Sequence, residues 1–255
     1  MSILFYCDWP NKKTWLNAFE KKFKKEKIYF WPNIKQNDQI NYAIVWNILP
    51  GKLKNYKNLK IIFSLGAGVD HLLKDKDLPK VPLVRLKDPL MGERMSNYLV
   101  SQILNYQIQM FKYFENNKKN KWEEDLDVLD NRDLTIGILG YGYLASFAAK
   151  DLLHKGYKLL GYKRTKLNKK SNFPIYYSKK NLKKFISKSN IIINLLPNTK
   201  KTKKIINKSF LNNMKKKSML INVGRGSTID EKSLINHVKK NKEFFAVLDV
   251  FKNEP

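Results

Sequence analysis

Residues 134–145 read Leu134-Thr135-Ile136-Gly137-Ile138-Leu139-Gly140-Tyr141-Gly142-Tyr143-Leu144-Ala145. A β-rich run leads into a G-x-G-x-x-A turn at Gly140, Gly142 and Ala145, and an apolar-periodic helix follows. Each small residue has its own task. Gly140 permits the tight turn, Gly142 lets the backbone approach a pyrophosphate, and Ala145 allows the helix to pack closely on the strand. The N–H groups of Tyr143 and Leu144 would then hold the anion at the positive end of the helix. A bare turn of this kind also occurs in plain strand–turn–helix units. Its placement here, after a strand and inside a βαβ unit, predicts dinucleotide binding.

The next strand, 157–162, should end on the residue that reads the adenosine ribose. An NAD site usually places a carboxylate there to accept from the 2′-hydroxyl. This chain has Gly161-Tyr162-Lys163-Arg164-Thr165-Lys166 instead. Arg164 can pair bidentately with a 2′-phosphate, and Lys163 and Thr165 can add hydrogen bonds. Lys163 and Lys166 could equally belong to the general lysine background. Arg164 is harder to dismiss, because only five of the 50 basic residues are arginine. The expected cofactor is NADP(H) in preference to NAD(H), with NAD(H) possible.

Outward from this turn, short apolar runs alternate with amphipathic stretches, the signature of an α/β chain around parallel sheets. Strands are expected at Ile3–Cys7, Tyr42–Trp46, Lys60–Phe63, Leu134–Leu139, Lys158–Tyr162, Asn190–Asn194, Ser218–Asn222 and Phe245–Val250. Helices are expected at Lys12–Lys24, Gly92–Phe114, Tyr143–His154, Ser178–Ser187 and Asp230–Lys239. The polar stretch Asn116–Arg132 reads as a connection. Two lobes follow, residues 1–98 and residues 99–255, the second a Rossmann-type doubly wound sheet.

The 255 residues carry 50 Lys+Arg against 22 Asp+Glu, a formal charge of +28. That excess invites a nucleic-acid reading. Against it, the basic residues are almost all lysine and spread along the chain, with 27 asparagines and only 7 alanines, as AT-rich coding favours. No aromatic-plus-basic recognition motif accompanies them, so nucleic acid is an unlikely partner. The single cysteine, Cys7, excludes an internal disulfide. No apolar run approaches the ~18–20 residues of a membrane span, and the start lacks the pattern of a signal peptide. A cytoplasmic protein is expected, with no metal site.

Five further segments sharpen the reading: Ser64-Leu65-Gly66-Ala67-Gly68-Val69-Asp70, Met91-Gly92-Glu93-Arg94-Met95, Asn194-Leu195-Leu196-Pro197-Asn198-Thr199, Ile221-Asn222-Val223-Gly224-Arg225-Gly226, and Leu248 to Pro255. In order and spacing, across essentially the whole chain, they resemble the D-isomer-specific 2-hydroxyacid dehydrogenases, and within them the glyoxylate/hydroxypyruvate reductase A branch. The resemblance implies a flavodoxin-like substrate domain at 1–98 and an NAD(P)-binding domain at 99–255, incomplete at its C-terminus. It also implies a homodimer, and reduction of a small 2-keto acid by hydride transfer from NADPH. A non-catalytic NAD(P)-binding sensor or interaction module on the same fold is the alternative.

The resemblance also assigns residues. Arg225, after an apolar strand in a glycine-flanked loop, would fork onto the substrate carboxylate and carbonyl; a structural cap is the other reading. Gly66, Ala67 and Gly68 would offer backbone N–H groups to the same carboxylate, unless they form an ordinary turn. Trp46 walls the substrate pocket or packs in the core. Leu195, Leu196, Pro197, Thr202, Val223 and Gly224 would line the cofactor path. Asp249 would face the nicotinamide amide or simply end its strand. Glu254 would orient the family's acid/base histidine, which lies beyond the Glu254-Pro255 pair, where this sequence has stopped. His71, His154 and His237 are poor substitutes for it. The expectation is therefore either a truncated enzyme or a natural fragment lacking that histidine.

Overall fold

The computed structural model describes residues 1–32, 34, 39–124, 129–166 and 170–253. The chain divides into two compact units, Met1–Asp88 and Pro89–Pro255. The first contains β1 (Ser2–Tyr6), α1 (Lys12–Lys22), β2 (Lys27–Phe30), β3 (Tyr42–Val45), β4 (Ile61–Ser64), α2 (Asp70–Leu73) and β5 (Leu83–Arg85). Its sheet is parallel throughout, in the order β2-β1-β3-β4-β5. That is the flavodoxin-like order. Alternate residues of the strands feed opposite faces: Leu4, Ala43, Val45 and Ile62 join one buried cluster with Ile40, Leu53 and Leu72, while Phe5 packs against Phe19 of α1.

The second unit opens with α3 (Pro89–Gln107) and α4 (Met110–Lys118), then runs β6 (Thr135–Leu139), α5 (Tyr143–His154), β7 (Lys158–Tyr162), β8 (Ile175–Tyr176), α6 (Leu182–Lys188) and β9 (Ile191–Asn194). It ends with α7 (Lys208–Asn212), β10 (Ser218–Asn222), α8 (Glu231–Lys240) and β11 (Phe244–Leu248). The six strands are all parallel, in the order β11-β10-β9-β6-β7-β8. This is the Rossmann-type doubly wound sheet, with its strand order reversing between β6 and β9. Both faces are covered, so the strands read as near-continuous apolar runs. Ile136, Ile138, Ile191, Ile193, Met219 and Ile221 pack toward α3 and α5. Leu139, Ile192 and Leu220 pack the other way, with Phe185 of α6, Leu211 of α7 and Leu234 of α8.

Three local outcomes differ from the sequence reading. The unit boundary falls at Asp88/Pro89 rather than at 98/99, because α3 packs as one continuous rod on α5, where Ser96 Oγ donates to Asp151 at 2.5 Å. The single helix expected over Gly92–Phe114 is two, broken at Gln109, whose φ is 55°. Gln107, at the break, is buried and occupied elsewhere: its side chain accepts from Tyr157 Oη at 2.5 Å and donates to Asn131 at 2.8 Å. The third outcome is that the connection expected over Asn116–Arg132 begins as helix, since α4 runs to Lys118. Among the described residues no helix is long and apolar enough to cross a membrane.

Candidate dinucleotide and substrate site

The turn after β6 is built as the motif requires. Gly140 has φ +100°, a conformation that side-chain-bearing residues rarely adopt. Its N–H and that of Tyr141 both donate to the Tyr162 carbonyl, at 2.9 and 3.1 Å, which pins the turn to the end of β7. Gly142 is extended and precedes α5, whose first turn carries no side-chain cap. A Cβ built on Gly142 would meet only the Gly140 carbonyl oxygen, 3.9 Å away, so the space before it is open. Helix dipole, uncapped first turn and open approach together fit a pyrophosphate. Tyr143 and Leu144 form that first turn, and Ala145 is 1% exposed, tight against the sheet.

Beside this turn lie the loops that follow β9 and β10. Leu195 N–H donates to the Leu139 carbonyl at 2.8 Å, setting Leu195 and Leu196 at the point where the strand order reverses. Thr202 folds the loop back on itself, its Oγ1 donating to the Pro197 carbonyl at 2.5 Å. Val223 N–H donates to the Asn194 carbonyl at 3.2 Å. Gly224 lies so close that a Cβ there would come 2.8 Å from the Leu196 carbonyl oxygen. Arg225 follows, half-buried, with Nη1 donating to the Gly224 carbonyl at 2.9 Å. Asp249, just past β11, is tied in by its N–H, which donates to the Asn222 carbonyl at 3.0 Å. Its side chain is exposed.

A cleft of about 920 Å³ opens at the end of β7, within the size range of ligand pockets. Tyr162, Lys163, Arg164, Leu196 and Thr202 share it, so residues expected at both ends of an adenosine phosphate line one cavity. Thr165, exposed on the following turn, is not among its lining residues. The cleft is more cationic than foreseen: Lys179, Lys183, Lys201, Lys203 and Lys204 also line it. Among so many lysines, no local signal in the sequence marks these five.

In the first unit, Trp46 follows β3 and packs the six-membered ring of its indole against the glycine loop after β4. A Cβ on Gly66 would come 2.1 Å from the Trp46 ring, so only glycine fits. Trp46 also packs on His71, with ring centroids 4.4 Å apart. His71 is thus a packing residue beside the loop, and Trp46 is half-buried rather than a core side chain. Ala67 and Gly68 continue the loop, half-buried, toward α2. In the second unit His154 ends α5, and His237 on α8 packs edge-on to Phe244 at 4.7 Å, where burial lowers its pKa. Glu254 lies outside the described residues.

The residues not foreseen as functional are Asn194, Asn222 and Thr228. Each is fully buried, and they are hydrogen-bonded to one another beneath the loops after β9 and β10. Burial of two polar side chains at strand ends and a third in the turn after β10, where apolar residues would suffice for a core, is the signal that reveals them.

The chain is similar to known proteins in sequence and in fold. The family described as D-isomer specific 2-hydroxyacid dehydrogenase, NAD binding domain, matches residues 100–255. Glyoxylate/hydroxypyruvate reductase A of Photorhabdus laumondii is 34% identical over 261 aligned positions, covering all of this chain and 82% of that protein. The enzyme of the same name from Escherichia fergusonii is 34% identical over 264 positions, with the same coverage. Among solved structures, a D-isomer specific 2-hydroxyacid dehydrogenase from Xanthobacter autotrophicus, in complex with NADPH and MES, superposes with a TM-score of 0.92 at 27% identity. The NADPH-dependent glyoxylate/hydroxypyruvate reductase of Sinorhizobium meliloti, in complex with NADP and sulfate, gives 0.87 at 29%. Each superposition covers the whole of this chain and 82% of the other. By fold, by the NAD-binding domain at 100–255 and by identity along its full length, this chain belongs to the D-isomer-specific 2-hydroxyacid dehydrogenase family.

Proposed function

We propose that the protein reduces small 2-keto acids of the glyoxylate/hydroxypyruvate type to D-2-hydroxy acids, with NADPH preferred over NADH. The observation that carries this is the convergence of the Gly140–Gly142 turn, the Leu195–Leu196 loop and the Arg225 loop at the carboxyl ends of β6, β9 and β10. A reduced nicotinamide dinucleotide bound there would supply the hydride. The first turn of α5, from Tyr143 and Leu144, holds the pyrophosphate by backbone N–H groups. Lys163 and Arg164 attract the 2′-phosphate in the cleft they line, with Thr165 an outer contributor. Pro197, Thr202, Val223, Gly224 and Asp249 border the cofactor path.

Arg225 forks onto the substrate carboxylate and polarises the keto oxygen as negative charge develops on it. By its resemblance to the family, the Gly66-Ala67-Gly68 loop of the first unit would offer backbone N–H groups to a carboxylate, and Trp46, packed on Gly66, an apolar wall. The two units thus serve as substrate domain and dinucleotide domain. The reading includes a homodimer. Phe111, Tyr113 and Phe114 of α4 and Phe245 of β11 are large, exposed and apolar on the second unit, and the mass in solution tests the pairing.

The test of activity is oxidation of NADPH by glyoxylate and hydroxypyruvate, beside titration of NADPH and NADH. Turnover with tighter NADPH binding supports the reading. Tight NADPH binding with no turnover on either acid in the full-length protein replaces it with a dinucleotide sensor. Failure to bind either dinucleotide overturns both.

A further inference from the structure

The buried amide of Asn194 sits where three segments meet. Its Oδ1 accepts from the N–H of Leu196 at 3.2 Å, and its Nδ2 donates to Asn222 Oδ1 and to Thr228 Oγ1, both at 2.7 Å. Asn222 Oδ1 also accepts from the N–H of Gly224 at 3.2 Å, and its Nδ2 donates to the Arg225 carbonyl at 3.4 Å. The Thr228 hydroxyl passes its hydrogen to that same carbonyl at 2.6 Å, joined by Thr228 N–H at 3.1 Å. The direction of every bond is fixed. Because Leu196 and Gly224 offer N–H groups, both amide oxygens must face them, and neither amide can be flipped without facing donor to donor.

This wiring holds loops rather than strands. Asn194, Asn222 and Thr228 are each 0% exposed, and a core in need of volume alone would be served by apolar side chains at lower risk. The bonds end instead on Leu196, Gly224 and Arg225, in the two loops that border the cofactor path. We propose that Asn194, Asn222 and Thr228 are positioning residues that lock the loop after β9 and the Arg225 loop after β10 into one body, so that a dinucleotide seated on the first loop also orders the second. That role takes Arg225 as the cation for the substrate carboxylate. A network in which every side-chain polar atom has a partner is rigid, and loosening one member leaves the others buried and less well met.

The experiment uses the full chain, with amide hydrogen exchange read with and without NADPH and with oxalate as the carboxylate probe. Thr228→Val keeps the shape and removes the hydroxyl; Thr228→Ser keeps the hydroxyl. In the wild type NADPH slows exchange at 195–202 and at 225–228 together. In Thr228→Val the protection at 195–202 persists, while exchange at 225–228 speeds up ~10-fold or more. Oxalate then binds the NADPH complex ~10-fold or more weakly, while NADPH affinity stays within ~3-fold. Thr228→Ser restores both. Retained protection at 225–228 in Thr228→Val, or oxalate affinity near wild type, overturns the proposal. Should Thr228→Val not fold, Thr228→Ala answers the same question. Arg225→Ala separates the two ideas: if oxalate binding survives there, the carboxylate assignment of Arg225 fails, and the exchange data alone decide the coupling of the loops.

Discussion

Gly140 faces the backbone of Leu195 so closely that a Cβ on the glycine would lie 2.9 Å from the Leu195 carbonyl carbon. The contact joins the turn after β6 to the loop after β9, the adjacent strands between which the order of the sheet reverses. Sheets of this type leave a crevice outside the carboxyl ends of the strands at such a point. Here the atoms nearest the added Cβ are all main chain, of Leu195 and Leu196, so no side-chain movement relieves the contact.

Gly140→Ala therefore meets two penalties at once, a φ of +100° and a clash with main chain. The strain alone costs about 1–3 kcal/mol, and relief of the clash must move the turn or the Leu195 loop. The expected result is a clearly lower Tm and loss of measurable NADPH binding by fluorescence titration. A variant that binds NADPH normally would show that the turn does not carry the pyrophosphate.

Arg225→Ala removes the guanidinium without touching the bonds its carbonyl receives from Asn222 and Thr228. The fold should persist, with Tm within a few degrees of wild type. Loss of a charged donor aimed at a developing oxyanion typically costs ~10²–10³ in rate. Turnover in the full-length protein should fall by at least that much while NADPH binding is kept. Steady-state kinetics on glyoxylate checks it, and near-normal kcat/KM would remove Arg225 from the chemistry.

The same two loops show what could be read from the chain in advance. The strand–turn–helix from Leu134 to His154 was legible because its apolar run, its glycines and its helix agree at every level. The strands β5 and β8 were not, being three and two residues long and too short to establish a period, nor was β2, an edge strand with no fully buried residue to mark it. The break at Gln109 was hidden because no glycine or proline marks it; it follows from Gln107 being held by Tyr157 and Asn131, residues distant in sequence. Asn194 and Asn222 could be quoted as parts of motifs, but in a chain with 27 asparagines nothing local distinguishes a buried, bonded one from a solvated one. Lys179 and Lys183 were obscured in the same way by their many counterparts.

Glu123 provides a pH signature away from the site. Its carboxylate accepts from Lys112 at 2.6 Å, Asn116 at 2.9 Å and Lys121 at 3.1 Å. These bonds, that from Lys112 first, lower its pKa from the ordinary 4.5 to about 2. A carboxylate whose folded pKa is depressed stabilises the fold above its unfolded pKa, and that contribution is lost as pH falls through the folded value. The fastening of the α4 end should thus be complete above pH 4.5 and weaken from there toward about 2. An NMR titration of the Glu123 side chain should show its midpoint near the lower limit, and Lys112→Met should move that midpoint upward. An unshifted midpoint in the wild type would mean that the three bonds do not hold in solution.

Under the proposed function, Arg164 is the residue expected to set which dinucleotide the cleft prefers. It lines the cavity at the end of β7 with Lys163, where the carboxylate that would accept from a ribose 2′-hydroxyl is missing from the sequence. A phosphate there gains charge-assisted hydrogen bonds of about 1.5–3 kcal/mol each, whereas a hydroxyl gains little from a guanidinium. Arg164→Ala should weaken NADPH binding ~10–100-fold, the affinity equivalent of one such bond, and leave NADH binding within ~3-fold. The lysines opposite, Lys179 and Lys183, keep the cleft positive, so some preference for NADPH should survive. Adding Lys163→Ala should reduce it further, and both effects should shrink as salt screens the exposed charges. Titration of the two dinucleotides against wild type and both variants measures this directly. Equal losses for NADPH and NADH would place Arg164 on a part of the cofactor common to both, and the 2′-phosphate assignment would fall.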